Sequence, residues 1–233
     1  MVTQSSFSNA SSLVRVNAFI RSVYNWMAIG LGLTAFTAFY VANSQALLQI
    51  IFGNPVVLYG LIFGELGLVF YLSARVQKIQ ASTATALFVL YSVLNGATLS
   101  AVFLAYTSAS IVSTFFVCAL TFSVCSVYGM VTKRDLTSMG GFMMMGLIGI
   151  IIATVVNIFL RSPAMTMLIS YVGVVVFVGL TAYDTQKLKT MAMTQPANAS
   201  GAMVRKGPIM GALTLYLDFV NLFLMLLRIF GVS

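Results

Sequence analysis

Histidine is absent from all 233 residues. Its absence removes the usual zinc sites, the Ser-His-Asp and Cys-His catalytic arrangements and the commonest proton shuttle, so no enzyme and no resident cofactor is expected. Acids are nearly as scarce, with four Asp and Glu against twelve Lys and Arg. Charged residues make up only 7% of the chain, where a soluble domain carries about a quarter. With 60% hydrophobic residues and a mean hydropathy of +1.02, the chain reads as a polytopic membrane protein in a lipid bilayer. The two cysteines, Cys118 and Cys125, lie seven apart on one predicted helix, roughly 10 Å along its axis, which excludes a disulfide between them. No signal peptide is legible near the start, because residues 1–22 lack a short apolar run with a small-residue cleavage site. The net charge of +8 is spread singly or in pairs between apolar runs, without the cluster that nucleic acid requires, and no nucleic-acid partner is expected.

What is present is seven apolar runs near the ~20 residues that a helix needs to cross the hydrocarbon core. They cover about 23–42, 55–74, 84–106, 109–131, 139–160, 165–189 and 209–230. The domain reading is a Ser- and Asn-rich cytoplasmic tail over 1–22, then a seven-helix transmembrane domain over 23–233. An odd number of spans puts the termini on opposite sides. Arg15, Arg21, Arg75, Lys78, Lys133, Arg134, Lys187, Lys189, Arg205 and Lys206 fall on one side, and only Arg161 and Arg228 on the other. This positive-inside bias predicts a cytoplasmic N-terminus and an outside C-terminus. Tyr24, Trp26, Tyr40 and Tyr59 sit where interfacial anchors belong.

Small residues one turn apart, in Gly60-x-x-x-Gly64, Ala97-x-x-x-Ala101-x-x-x-Ala105 and Gly149-x-x-x-Ala153, predict close helix packing. Spans one to three begin inside and spans four to six begin outside, so the chain reads as two three-helix units of opposite orientation followed by a seventh helix. The substantial linker is 191–208, with Pro196, Gly201 and Pro208. The run Met143-Met144-Met145 and the two cysteines are expected to face lipid or core. Lys133-Arg134-Asp135 reads as a solvated turn.

The last two spans carry two of the four acids, Asp184 and Asp218. A carboxylate at membrane depth costs at least ~3 kcal/mol on insertion scales, so it faces a bundle interior or a water-filled path. At helical spacing Gly211, Thr214, Asp218, Asn221, Met225 and Arg228 form one mostly polar stripe, which gives the seventh helix an inside face. Asp218 lies about 13 Å into the membrane from Ile209. Asp184 reaches the same depth when its helix continues through Lys187 and Lys189 toward Met193. Two carboxylates a few ångströms apart do not easily both ionise, so such a pair keeps a proton toward neutral pH and senses pH. The plain alternative is two independent structural acids, Asp184 bonded to Lys187 and Asp218 to Asn221 or a hydroxyl. Glu65, in the second span, is a third acid at membrane depth, and Arg75 closes that helix as either a topology marker or a counter-ion. The last span has no lysine for a retinal Schiff base.

GLTAYDTQKLK at 179–189 and GALTLYLDFVNLFLMLLRIFG at 211–231 closely resemble the last two helices of the transmembrane Bax inhibitor motif family, especially its small bacterial inner-membrane members. The likeness runs over nearly the whole chain, including VYNWM near the start and TKRDL before the fifth span. The resemblance implies an all-α fold of seven transmembrane helices, with the C-terminal helix central and wrapped by two three-helix layers. It also implies a pH-sensitive aspartate pair that gates a calcium leak, and Asp184 and Asp218 match that pair's positions. The family's arginine latch ends the second helix, near Arg75, and Lys187 is the other candidate counter-ion. Glu65, Asn221 and Thr214 are candidate pathway residues. Two carboxylates fall short of the six to eight oxygens of a tight calcium site, so Asp184 and Asp218 are expected to hold calcium weakly and transiently, as conduction requires. The family is also tied to cell-death suppression and to membrane proteases. The competing expectation is therefore a non-conducting regulator of a membrane protease or another membrane protein.

Overall fold

A computed structural model describes the backbone of residues 2–75, 78–194 and 201–232, and the side-chain surroundings of 14–75, 78–194 and 206–232. The described residues form nine helices: α1 (Val2–Ala42), α2 (Gln45–Phe52), α3 (Pro55–Arg75), α4 (Ala81–Leu99), α5 (Ala101–Ala105), α6 (Ser108–Val131), α7 (Thr137–Leu160), α8 (Pro163–Thr194) and α9 (Gly201–Phe230). Seven stretches are long and apolar enough to cross a membrane, with α4 and α5 together making one and α2 making none. The fold is therefore the all-α, seven-span one expected.

Short polar signals start and stop these helices. Ser44 and Thr107 cap α2 and α6 by accepting the amides of Leu47 and Ser110. Asn54 accepts the amide of Val56 at the start of α3, where Pro55 occupies the first helical position and forgoes an amide that would have no helical partner. α7 ends where Arg161 takes a left-handed φ of 49°, and Pro163 opens α8 two residues later.

Several boundaries differ from expectation. Helix begins at Val2 and runs unbroken into the first span, so the stretch read as a tail is helical where it is described. The third span breaks at Ser100, whose hydroxyl donates to the Ala97 carbonyl at 2.6 Å, and this interrupts the Ala97, Ala101, Ala105 ridge. The linker is shorter than 191–208, because α8 continues to Thr194 and α9 resumes at Gly201 with Pro208 inside it; residues 195–200 lie outside the described residues. Neighbouring groups in a bundle re-satisfy the backbone that such a proline frees.

The chain divides into two compact units: Met1–Ala105 with Met191–Tyr216, and Tyr106–Thr190 with Leu217–Ser233. Spans one to three fall in the first, spans four to six in the second apart from the last turn of α8, and α9 contributes to both. In the first unit α1 packs on α4, with Gly96 of α4 directly against the Thr34 backbone of α1, so that any Cβ there would collide. In the second, Gly129 of α6 meets the Ala182 backbone of α8 in the same way. The glycines singled out from the sequence do not do this. A side chain at Gly60, Gly64 or Gly149 would meet nothing within 4 Å, so close packing sits at other glycines.

Burial separates the seventh span from the rest. Within the 18-residue apolar window of each helix, 67% of residues are buried in α9, against 44% in α8 and 6% in α7. No residue of α9 from Lys206 to Leu227 is exposed; each is buried or half-buried.

Candidate functional site

α8 and the second half of α9 bring Asp184 and Asp218 together. Both are buried, 7% and 5% exposed, and their carboxyl groups lie within hydrogen-bonding reach of each other. Two ionised carboxylates have no donor to offer, so a bond between them requires a proton on one. The Oδ2 atom of Asp218 finds no donor among the described residues. Lys187, one turn beyond Asp184, acts on it electrostatically while its Nζ lies 5.8 Å from the centre of the Tyr183 ring.

The surrounding sequence holds this geometry. α8 continues to Thr194, past Lys187 and Lys189, as expected. Gly129 lets α6 approach α8 two residues before Asp184, and Ser126 and Thr185 share a hydroxyl–hydroxyl bond of 3.1 Å beside it. On the α9 side Phe115 and Phe122 of α6 close edge-on over Phe219, with ring centres 5.5 and 5.4 Å apart, and the Cys118 thiol donates to the Phe219 carbonyl at 3.7 Å. Phe219, the residue after Asp218, is thereby held in place against α6.

Two side chains, Gln186, which carries no expectation from the sequence, and Lys189, expected only as a topology marker on the continuing helix, tie down the far end of α8. Gln186 accepts the Leu136 amide and donates to the Arg134 carbonyl, both at 2.8 Å. Lys189 donates to the Met130 carbonyl at 2.6 Å and so satisfies an otherwise unpaired carbonyl in the last turn of α6. A glutamine and a lysine three apart beyond an apolar run were the available signal; Lys189 counts in the sequence only as a topology marker, and Gln186 is not weighed there. The Lys133-Arg134-Asp135 turn is exposed as expected, and Thr137 donates its hydroxyl and amide to Asp135, which holds that carboxyl below the ordinary carboxylate range.

The other site expectations are placed as follows. Thr214 and Asn221 are half-buried, but each donates to a carbonyl of its own helix, Met210 at 3.1 Å and Leu217 at 2.8 Å, so Asn221 is not the partner of Asp218. Arg228 is exposed, which ends the polar stripe before its last member. Arg75 closes α3 in the first unit with its side chain exposed. Glu65, 8% exposed, receives Thr98 Oγ1 at 2.5 Å and Asn95 Nδ2 at 3.2 Å, all within that unit. Cys118 is buried, Cys125 half-buried, and both thiols are free.

These observations define a class: an all-helical, seven-span membrane protein whose last two spans bury a carboxyl pair. The chain belongs to the family described as Inhibitor of apoptosis-promoting Bax1, whose model matches residues 16–233. It is 53% identical over 229 residues to Inner membrane protein YbhL of Escherichia coli strain K12, with 97% of each chain covered. It is 46% identical over 215 residues to an uncharacterized protein of Borreliella burgdorferi, covering 92% of each, and 36% identical over 221 residues to an uncharacterized membrane protein of Streptococcus pyogenes serotype M1, covering 94% of each.

Proposed function

We propose that this protein is a pH-sensitive cation leak of the bacterial inner membrane, with calcium the permeant ion and Asp184 and Asp218 its sensor and constriction. The observation that carries the reading is the pairing itself: two buried carboxyls within bonding reach, in a stretch where any charge is expensive. With one shared proton the pair is a hydrogen-bonded tie between α8 and α9. Without it, two negative charges face each other and repel, and Lys187 stands one turn away to compensate. Either response moves α8 against α9, which makes the tie a gate. The unpaired pair offers few oxygens, so calcium binds weakly and leaves, as passage requires. The reading includes an N-terminus inside and a C-terminus outside, from the basic residues of the loops, and an arginine latch at Arg75 from the family resemblance.

The test is calcium entry into vesicles holding purified protein, measured between about pH 5 and 8, the interval that histidine would otherwise sense. Asn keeps the volume and removes the titration, so Asp184→Asn and Asp218→Asn are each expected to lose most of the pH dependence. The double variant is expected to be little worse than either, because groups that act as a unit are not additive. A wild-type pH profile in both single variants would overturn the gate. Absence of flux from the wild-type protein would overturn the channel and favour the non-conducting regulator.

A further inference from the structure

The first unit holds a buried polar network that the aspartate gate does not use. Glu65 of α3 accepts from Thr98 and from the Asn95 amide, both on α4. Asn95 Oδ1 accepts from the Tyr216 hydroxyl of α9 at 3.0 Å, and that hydroxyl meets Thr34 Oγ1 of α1 at 2.6 Å. Thr34 Oγ1 in turn lies 2.8 Å from the Ser92 carbonyl and 3.0 Å from the Gly30 carbonyl. Tyr216 and Ser92 are fully buried, and Thr34 is 5% exposed. The chain of contacts thus runs through four helices, from one carboxyl to one threonine.

Donor and acceptor counting permits an ionised and a protonated arrangement that each run through the whole chain of contacts. With Glu65 ionised, Thr34 donates to Tyr216, Tyr216 to Asn95 Oδ1, and Asn95 Nδ2 to the carboxylate, so every proton points toward the charge. With a proton on Glu65, the Asn95 amide turns over. Its Oδ1 then accepts from Glu65, its Nδ2 donates to Tyr216, Tyr216 donates to Thr34, and Thr34 donates to the Ser92 carbonyl. One proton enters and none leaves, and no hydroxyl or amide is stranded in either arrangement.

We propose that Glu65 is a second proton-binding site, and that its occupancy is relayed to α1 by the concerted reversal of Asn95, Tyr216 and Thr34. The ligand is a proton rather than a metal ion, because both carboxylate oxygens already face N–H or O–H donors, which a cation would have to displace. Among the described residues, the other titratable groups that interact electrostatically with Glu65 are Tyr91 of α4 and Tyr216 of α9, and no lysine or arginine is among them. The inference is independent of the aspartate gate.

Glu65 is the single glutamate of the chain, so protein made with glutamate labelled at the side-chain carboxyl carbon shows one carboxyl resonance, and this resonance reports Glu65 directly. In the full-length protein in lipid, that resonance is expected to titrate between about pH 4 and 10. Thr98→Val removes a donor to the ionised form and is expected to move the midpoint upward by about one pH unit. Tyr216→Phe keeps the ring against Phe88 and Tyr91 and deletes only the hydroxyl. It is expected to move the midpoint in the wild-type background but not in an Asn95→Ala background, since the relay passes through Asn95. Thr34→Val reads the same relay from its far end, should the tyrosine variant fail to fold. A resonance that does not titrate overturns the site, and one that shifts with added calcium makes it a cation site instead. A Tyr216→Phe effect that is nil, or undiminished in Asn95→Ala, overturns the relay.

Discussion

At Gly129 a hydrogen atom decides how closely α6 approaches α8, because the Ala182 backbone occupies the space that a Cβ would need. Gly129→Val is therefore expected to destabilise the protein by about 1–3 kcal/mol through overpacking, lowering the midpoint of thermal unfolding in detergent. Gly64→Val, at a glycine whose Cβ would meet nothing, is expected to leave that midpoint nearly unchanged. The contrast matters because the paired spacing of Gly60 and Gly64 is the conspicuous motif and Gly129 has no such partner. Spacing records which residues share a helix face, and only the neighbour across the gap decides whether that face is used. The acids behaved differently. Asp184 and Asp218 stood out because a carboxyl in an apolar span carries an energetic cost wherever its helix packs, and Glu65 stood out for the same reason.

At the scale of elements, the informative piece is the far half of α8. Its apolar run ends before Lys187, yet the helix continues to Thr194, held by Gln186 and Lys189 against the end of α6 and the turn into α7. This clamp fixes the helix that carries Asp184. Replacing Gln186 by Ala removes two hydrogen bonds and is expected to destabilise the protein by about 1–3 kcal/mol. It is also expected to speed hydrogen exchange at the Leu136 amide, which loses its acceptor. Unchanged exchange at Leu136 would show that the clamp does not hold in the membrane. A companion Lys189→Met variant keeps much of the stem's packing while releasing the Met130 carbonyl, and it separates the lysine's share from the glutamine's.

Over the whole molecule, two properties are open to direct measurement. A reporter active only outside the cytoplasm, fused after Ser233, and one active only inside, fused before Met1, are both expected to give signal, as the ten-to-two distribution of basic residues requires. In the same molecule, single cysteines placed along 211–226 in a Cys118→Ala, Cys125→Ala background are expected to be shielded from a lipid-soluble label on nearly every face, because that stretch has no exposed residue. The sequence alone determined the class, the number of spans and the acids worth following, since bilayer thickness and the cost of intramembrane charge act on each segment by itself. The tertiary structure decided which glycines pack, that Thr214 and Asn221 turn to their own helix, that Gln186 and Lys189 clamp α6, and that Glu65 joins a chain of hydroxyls reaching Thr34. Those outcomes depend on which partner stands opposite each side chain, and residues as distant in the chain as Thr34 and Tyr216 acquire one another as partners only when the helices pack.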